Sequence, residues 1–454
     1  MICHVSLELT IKERAIAGSF DLVGIAPVAI GRDLEFARQW AERGYSGAMH
    51  YLSNPRRFDP QWVLPSVKSV ICVGLIYDTS FPYSTEILDG EVRSQESGVG
   101  RQRSVASGAL SVENDNGRRT TDYRHGPVSS FGFRVSSAAA PRAWISRYAW
   151  GRDYHEVMRE KLERLRASVE ELASGVETRV YVDTGPVVER AFARFSGIGW
   201  MGKNTCILNE QKGSWFFLGV ILTNLALEPD LPAPDRCGSC TACLEACPTG
   251  ALVEPYVMDA SRCISYLTIE LKGSIPLELR PGVGRNIFGC DICQDVCPWN
   301  AKNRSQESAV RSQEYAFQPT TVNTAPFGGR PNPKDEGPRT KDKGLTISEA
   351  IPQSSIINHQ SIPPGSEDPA PSTFSLFAPP LEALAAMTQE EFRKTFTHSP
   401  IKRAKFRGWL RNLSVAMGNS GDARFVSRLE ELSKHPDPIV REHADWGLER
   451  LRGG

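Results

Sequence analysis

Eight of the eleven cysteines fall between residues 237 and 297, and their spacing is more telling than their number. Cys237, Cys240, Cys243 and Cys247-Pro248 form a C-x2-C-x2-C-x3-C-P run, and Cys263, Cys290, Cys293 and Cys297-Pro298 follow as a second group. Thiolates this close on a tight loop reach neighbouring irons of one cubane. The cysteine before proline leaves on a different vector and ligates the other cluster. That rule assigns Cys237, Cys240, Cys243 and Cys297 to one 4Fe–4S cluster, and Cys247, Cys263, Cys290 and Cys293 to a second. Such a pair is a path for single electrons and transfers no group by itself.

Structural zinc sites also use C-x2-C pairs, but they do not call for a triple spacing closed by Cys-Pro in a paired arrangement. A secreted disulfide scaffold would spread its cysteines through a short chain, which this chain of 454 residues is not. Cys3, Cys72 and Cys206 read as ordinary thiols. Cys72 sits in the strand-like run Val70-Ile71-Cys72-Val73, where a small buried residue fits.

Electrons need a recipient, and the chain before the cysteines is the candidate. Leu22–Ala26, Val67–Tyr77, Thr178–Val182 and Trp215–Asn224 read as strands. Arg32–Arg43, Glu156–Leu172 and Val187–Phe195 have helical spacing. The alternation indicates an α/β domain over residues 1–230, interrupted at 79–140 by a polar stretch that reads as a mobile insertion. The cysteines occupy 231–301. A Pro-, Ser-, Gln- and Thr-rich stretch at 302–373 reads as a disordered linker, and helices return over 374–454. Within that end, Ile401–Met417, Ala423–Lys434 and Pro438–Leu451 give helix, turn and helix.

With 53 Lys+Arg against 53 Asp+Glu the chain is no broadly basic nucleic-acid coat, although a local basic patch is allowed. No segment approaches the ~18–20 apolar residues of a membrane span. The N-terminus lacks a charged and then apolar leader, so the expected location is cytoplasmic. No G-x-G-x-x-G follows a strand, which argues against a Rossmann dinucleotide site.

The densest feature of the α/β domain is Val182-Asp183-Thr184-Gly185-Pro186, followed by Gly199-Trp200-Met201-Gly202-Lys203-Asn204-Thr205. A strand ending in Asp-Thr-Gly-Pro sets a carboxylate at the sheet's C-terminal edge, where ligand crevices of α/β proteins lie. The plainer reading makes Asp183 a helix N-cap.

These two segments resemble those of the epoxyqueuosine reductase family. So do the cysteine run, Gly289-Cys290-Asp291-Ile292-Cys293-Gln294-Asp295-Val296-Cys297-Pro298-Trp299-Asn300, and Ser399-Pro400-Ile401-Lys402-Arg403-Ala404-Lys405. The resemblance covers the chain outside the two polar stretches. It implies a nitroreductase-like cobalamin-binding α/β domain, a ferredoxin-like domain with two 4Fe–4S clusters, and C-terminal HEAT-like helices. The implied reaction is reduction of epoxyqueuosine to queuosine at the wobble position of tRNA. Electrons would come from an unidentified donor and pass through the clusters to cobalamin in a monomeric enzyme.

By the same resemblance Asp183 is the proton donor, with a pKa expected to be raised beside an apolar corrin face. Lys203, Asn204 and Ile207 would line the cobalamin with Ser265 and Asp291. Arg57 matches a cofactor contact or is a surface loop arginine. His155, in Asp153-Tyr154-His155, reads as a structural hydrogen-bonding residue rather than a cobalt ligand. Lys402, Arg403, Lys405, Arg407 and Arg411 include an i, i+4 row without an acid, which is a solvated face or, with tRNA as substrate, a phosphate-contact stripe. Trp299 or Tyr266 would stack a base or simply pack. Two rivals remain at this point. A cobalamin-dependent reductive dehalogenase usually carries a twin-Arg signal that is absent here. A non-catalytic iron–sulfur carrier would leave Asp183 without a purpose.

Overall fold

The computed structural model describes residues 6–88, 140–304, 315–324 and 372–453. Cys3, much of the 79–140 stretch and much of 302–373 lie outside them.

The first layer forms as the hydrophobic pattern demands. Helix α1 (Leu7–Ala17) starts where the Ser6 hydroxyl accepts the Leu9 N–H. Strand β1 (Leu22–Pro27), helix α2 (Gly31–Glu42), strand β2 (Ser69–Ile76), helix α3 (Tyr154–Glu170), strand β3 (Thr178–Tyr181), helix α4 (Glu189–Phe195) and strand β4 (Phe216–Thr223) follow. Every residue of β2 is buried, because the strand is covered on both faces. Ile71, Val73 and Leu75 face α1 and α3, whereas Val70, Cys72 and Ile76 face α2 and α4.

The sheet order is β1-β2-β4-β3, and each neighbouring pair is antiparallel. Alternation of strands and helices therefore did not yield a parallel sheet, and the C-terminal edge used above to justify a crevice does not exist as a common edge. Asp183 nonetheless sits two residues beyond the edge strand β3.

Residues 79–88 are packed, not inserted: Tyr83 and Ser84 are buried, and the Ser84 N–H donates to Asp295 at 2.9 Å. The expected linker also holds an ordered piece. Thr321–Thr324 pairs antiparallel with Ser372–Ser375, with Phe317 and Val322 buried.

The cysteine domain is built from short pieces held by the elements around it. Asn286–Phe288 pairs in parallel with Trp144–Ile145, and Tyr266–Glu270 forms a π-helical turn. The C-terminal helices share one core with these pieces, in which Trp144, Trp150 and Phe288 meet Trp409 and Leu413. Instead of one helix over Ile401–Met417, a 3-10 turn at Pro400–Ala404 precedes helix α5 (Lys405–Asn419). Helices α6 (Val426–Leu432) and α7 (Pro438–Arg452) complete the end. A Cβ on Gly418 would stand 2.7 Å from the Gly447 Cα, so α5 and α7 cross where both lack side chains. No helix among the described residues is long and apolar enough to cross a membrane.

His443 on α7 is fully buried: its Nδ1–H donates to Ile439 O and its Nε2 accepts from the Ile275 N–H. Burial first, and the Arg280 charge second, push its pKa from 6.5 down to about 4. The unfolded chain then binds a proton that the folded chain refuses, so the contribution of His443 to stability falls between pH 6.5 and about 4 and is constant above 6.5. The gap corresponds to about 3 kcal/mol at most. His443→Gln is expected to abolish that part of the acid loss in melting curves; an unchanged difference between pH 7 and pH 4 would refute the assignment.

Candidate active site

The ten described cysteines are unpaired by disulfides. Cys243 lies within electrostatic reach of Cys240 and Cys237, and Cys297 within reach of Cys237. Cys263 feels Cys247, while Cys290 and Cys293 feel Cys263. Apart from Cys206, which neighbours both Cys293 and Cys297, these neighbourhoods run within the two fours set by the spacing. Among the described residues no three His, Cys, Asp or Glu side chains stand close enough to hold one ion. Each thiolate of a cubane binds its own iron, which keeps the sulfurs further apart than on a single zinc. Cys206 departs from the expectation of an ordinary thiol, since it stands against Cys293 within hydrogen-bonding reach.

Asp183 adopts φ 53°, a left-handed conformation that aspartate tolerates better than most residues. It caps no helix, because α4 begins six residues later behind Val188. Its side chain is 53% exposed, and its Oδ2 accepts from the Tyr154 hydroxyl at 2.8 Å. His155 Nε2 stands 3.5 Å and Arg403 Nη1 3.7 Å from the same oxygen. Tyr154 is fixed by stacking on Phe217, with ring centroids 4.3 Å apart.

A row of alternating charges runs through this point. Lys402 pairs with Asp153 at 3.1 Å, and Asp153 accepts from His155 Nδ1 at 2.8 Å. His155 faces Asp183, Asp183 faces Arg403, and Arg403 pairs with Glu270 at 2.9 Å. Crowding would raise the Asp183 pKa, but contacts with His155 and Tyr154 and the Arg403 charge hold it well below the usual carboxylate range. The expected raised pKa is therefore corrected: opposite charges outweigh desolvation. Burial likewise opposes the His155 imidazolium, yet Asp153 and Asp183 push it up to about 9. Glu189 is pushed up to about 7 by burial, with the Asp183 charge adding to it.

The other expected site residues serve two jobs. Arg57 donates to the carbonyls of Gly185 and Val187, the latter at 2.9 Å, so it clamps the loop carrying Asp183 and is no free surface arginine. Lys203 Nζ donates to the carbonyls of Gly238 (2.6 Å) and Cys240 (2.9 Å), and Asn204 Nδ2 to Cys293 O (3.1 Å). Ile207 is buried in the core facing α4, and Ser265 is half-buried beside Cys263. Buried Asp291 accepts from Trp144 Nε1, Ser146 Oγ and the Arg147 N–H at 2.9, 2.5 and 2.7 Å. Tyr266 accepts the Ala48 N–H, and Trp299 packs edge-on against Trp200, so both rings have structural employment.

The basic row does not survive as one stripe. Lys402 and Arg403 lie on the 3-10 turn and enter the charge row described above. Arg411 is buried, and its guanidinium donates to the carbonyls of Leu267, Leu271 and Gly273 and to Asn412. It cannot meet a phosphate at the surface, because α5 is wrapped by the cysteine domain and α7 from Trp409 onward. The sequence could not reveal this, since the covering segments lie far away along the chain. It also gave no sign that Arg403 would approach Asp183.

Residues 122–184 match the family described as "Epoxyqueuosine reductase QueG, DUF1730", and residues 236–300 match the "4Fe-4S double cluster binding domain". The first match begins inside the stretch read as an insertion. An epoxyqueuosine reductase of Pseudomonas aeruginosa is 33% identical over 451 residues, covering 98% of this chain and 94% of the relative. That of Escherichia coli is 37% identical over 305 residues, covering 67% and 65%. A crystal structure of epoxyqueuosine reductase with an epoxyqueuosine-modified tRNA-Tyr stem loop superposes with TM-score 0.67 at 27% identity, covering 98% of this chain and 90% of that one. A Bacillus subtilis epoxyqueuosine reductase, solved with its catalytic aspartate loop swung out of the active site, gives 0.66 at 26% with the same coverage. By both the length and the level of these matches, the chain belongs to the epoxyqueuosine reductase family.

Proposed function

We propose that this protein reduces epoxyqueuosine to queuosine in tRNA, using two 4Fe–4S clusters on its eight clustered cysteines and a cobalamin held at the Asp183 site. The observation that carries the reading is Asp183 itself: a half-exposed carboxylate in a strained conformation, gripped by Tyr154, His155 and Arg403. Arg57 and Lys203 fasten its loop and the neighbouring cysteine loop. In this reading the α/β layer is nitroreductase-like, the cysteine domain ferredoxin-like and the helical end HEAT-like.

The residues fit a polar-fringed macrocycle in one respect that can be checked. Glu189 Oε1 is buried near Asp183 without a hydrogen-bond partner, so the site keeps capacity for a ligand's amide. When bound, cobalamin supplies the reducing equivalents for C–O cleavage. Arg57, Lys203, Asn204, Ile207, Ser265 and Asp291 would hold it, Lys203 and Asn204 by fixing the cysteine loops next to it.

Deoxygenation of an epoxide to an alkene consumes two electrons and two protons and releases the oxygen as water. The opening C–O bond leaves an oxyanion that needs a placed proton. With Asp183 ionised, the proton is stored on His155 and passed across the Asp183 carboxylate; Tyr154 keeps that carboxylate oriented. Arg403 draws the anionic substrate to the site, and Lys402 holds Asp153 against His155.

The test is anaerobic reconstitution with iron, sulfide and cobalamin, followed by assay on tRNA carrying epoxyqueuosine. Nucleoside mass spectrometry should show loss of one oxygen atom. Full cluster loading with no affinity for a corrinoid would overturn the cofactor assignment.

A further inference from the structure

Beside the eight clustered cysteines stands a ninth, Cys206, which the ligand spacing leaves over. It is half-buried on the turn between the short antiparallel strands Trp200–Met201 and Ile207–Leu208. Its thiol is within hydrogen-bonding reach of Cys293, from the second four, and within electrostatic reach of Cys297, from the first. A sulfur that belongs to neither cluster therefore lies next to a ligand of each.

The two chain segments are tied together at this contact. Asn204 is 3% exposed and holds both cysteines by their backbones: its Oδ1 accepts the Cys206 N–H and its Nδ2 donates to Cys293 O, each at 3.1 Å. One side-chain amide thus sets how the two sulfurs stand to one another. Gly202 leaves room for it, since a Cβ there would lie 2.8 Å from Asn204 Oδ1. Thr205 takes φ 63°, a conformation that a β-branched residue adopts only when its surroundings impose it. Its carbonyl accepts from Arg190 at 3.2 Å, and Cys206 O accepts the Gly202 N–H at 2.8 Å, which fixes the turn from both sides.

On iron, Cys293 is a thiolate and can only accept, so the S–H of Cys206 must be the donor. The second four collect other donors in the same way. The Ser265 hydroxyl reaches Cys263, the Thr249 hydroxyl lies 3.8 Å from Cys247 Sγ, and the Ala251 N–H donates to that sulfur at 3.3 Å. A reduced cluster carries one more negative charge than an oxidised one, so a hydrogen bond to its sulfur stabilises the reduced form more and raises the potential.

We infer that the Cys206 thiol donates a hydrogen bond to the Cys293 sulfur and thereby raises the reduction potential of the second cluster, which favours electron arrival there. The inference rests on the two-cluster reading above. Cys206 acts in it as a positioning residue: one electron enters the cluster, and no bond at Cys206 forms or breaks.

The test is a potentiometric titration of the anaerobically reconstituted full chain with dithionite and mediators, followed by electron paramagnetic resonance of the reduced clusters. Cys206→Ala removes the donor, and Cys206→Ser keeps one. In Cys206→Ala, one of the two clusters is expected to become about tenfold harder to reduce, a fall of about 59 mV for a one-electron couple, with iron content unchanged. Cys206→Ser should restore most of that fall. Two unshifted potentials in Cys206→Ala, or a serine variant as low as the alanine one, would overturn the inference. Loss of iron from Cys206→Ala would make Cys206 a ligand and defeat it as well. A wild type that takes up no iron and sulfide would instead overturn the two-cluster reading.

Discussion

Cys290→Ser is expected to remove about half of the iron and sulfide and to abolish turnover, while Cys206→Ser keeps both clusters. The contrast matters because both sulfurs lie near Cys293 in the structure, so proximity alone does not separate a ligand from a neighbour. The C-x2-C spacing separates them. Cys290 lies just ahead of the helical turn Ile292–Asp295 and Cys293 within it, whereas Cys206 lies on the loop between the short strands Trp200–Met201 and Ile207–Leu208. Losing one thiolate leaves an iron without its ligand, and a gap between donor and acceptor stops single-electron transfer altogether. Iron content and the visible spectrum of anaerobically reconstituted protein decide the matter. Full iron in the Cys290 variant, or half in the Cys206 variant, would mean that the second four has been chosen wrongly.

Ligand spacing of this kind is local, which is why the eight cysteines were readable from the chain. Asp183 was readable for the same reason, since Asp-Thr-Gly-Pro after a strand announces a sharp turn whatever surrounds it. The register of the sheet was not. Strands β2 and β4 are continuous apolar runs that would suit a parallel or an antiparallel neighbour, and their pairing is decided by contacts 140 to 154 residues apart, as between Ile76 and Phe216 or Ser69 and Thr223. Arg411 shows the same limit at one residue. Its i, i+4 relation to Arg407 is a fact of the helix, but which side the cysteine domain covers is fixed by Leu267, Leu271 and Gly273. The hairpin of Thr321–Thr324 with Ser372–Ser375 was hidden because its strands flank a long polar stretch.

The charge row predicts a second large effect, which its two central residues should divide between them. Asp183→Asn keeps the shape of the loop but can no longer carry a proton, and turnover is expected to fall by about 10²–10⁴ with RNA affinity nearly unchanged. His155→Gln should cost less in rate but change the pH profile. In the wild type the imidazolium persists until about pH 9, so activity declines as pH rises through that value; the variant has no such alkaline limb. The sign of the stability effect is fixed in the same way. A base whose folded pKa lies above its ordinary 6.5 stabilises the fold fully below pH 6.5 and loses that contribution as pH rises through about 9. Asp153, held down to about 2 against its burial by His155 and Lys402, contributes on the other side, above pH 3.8, and fails only as pH falls towards 2. Melting curves between pH 6 and pH 10 should therefore drop in the wild type and stay flatter in His155→Gln. If the variant kept both the alkaline decline in rate and the alkaline drop in melting temperature, His155 would not be the proton store, and Asp183 would have to draw its proton from another group, of which buried Glu189 is the first to try.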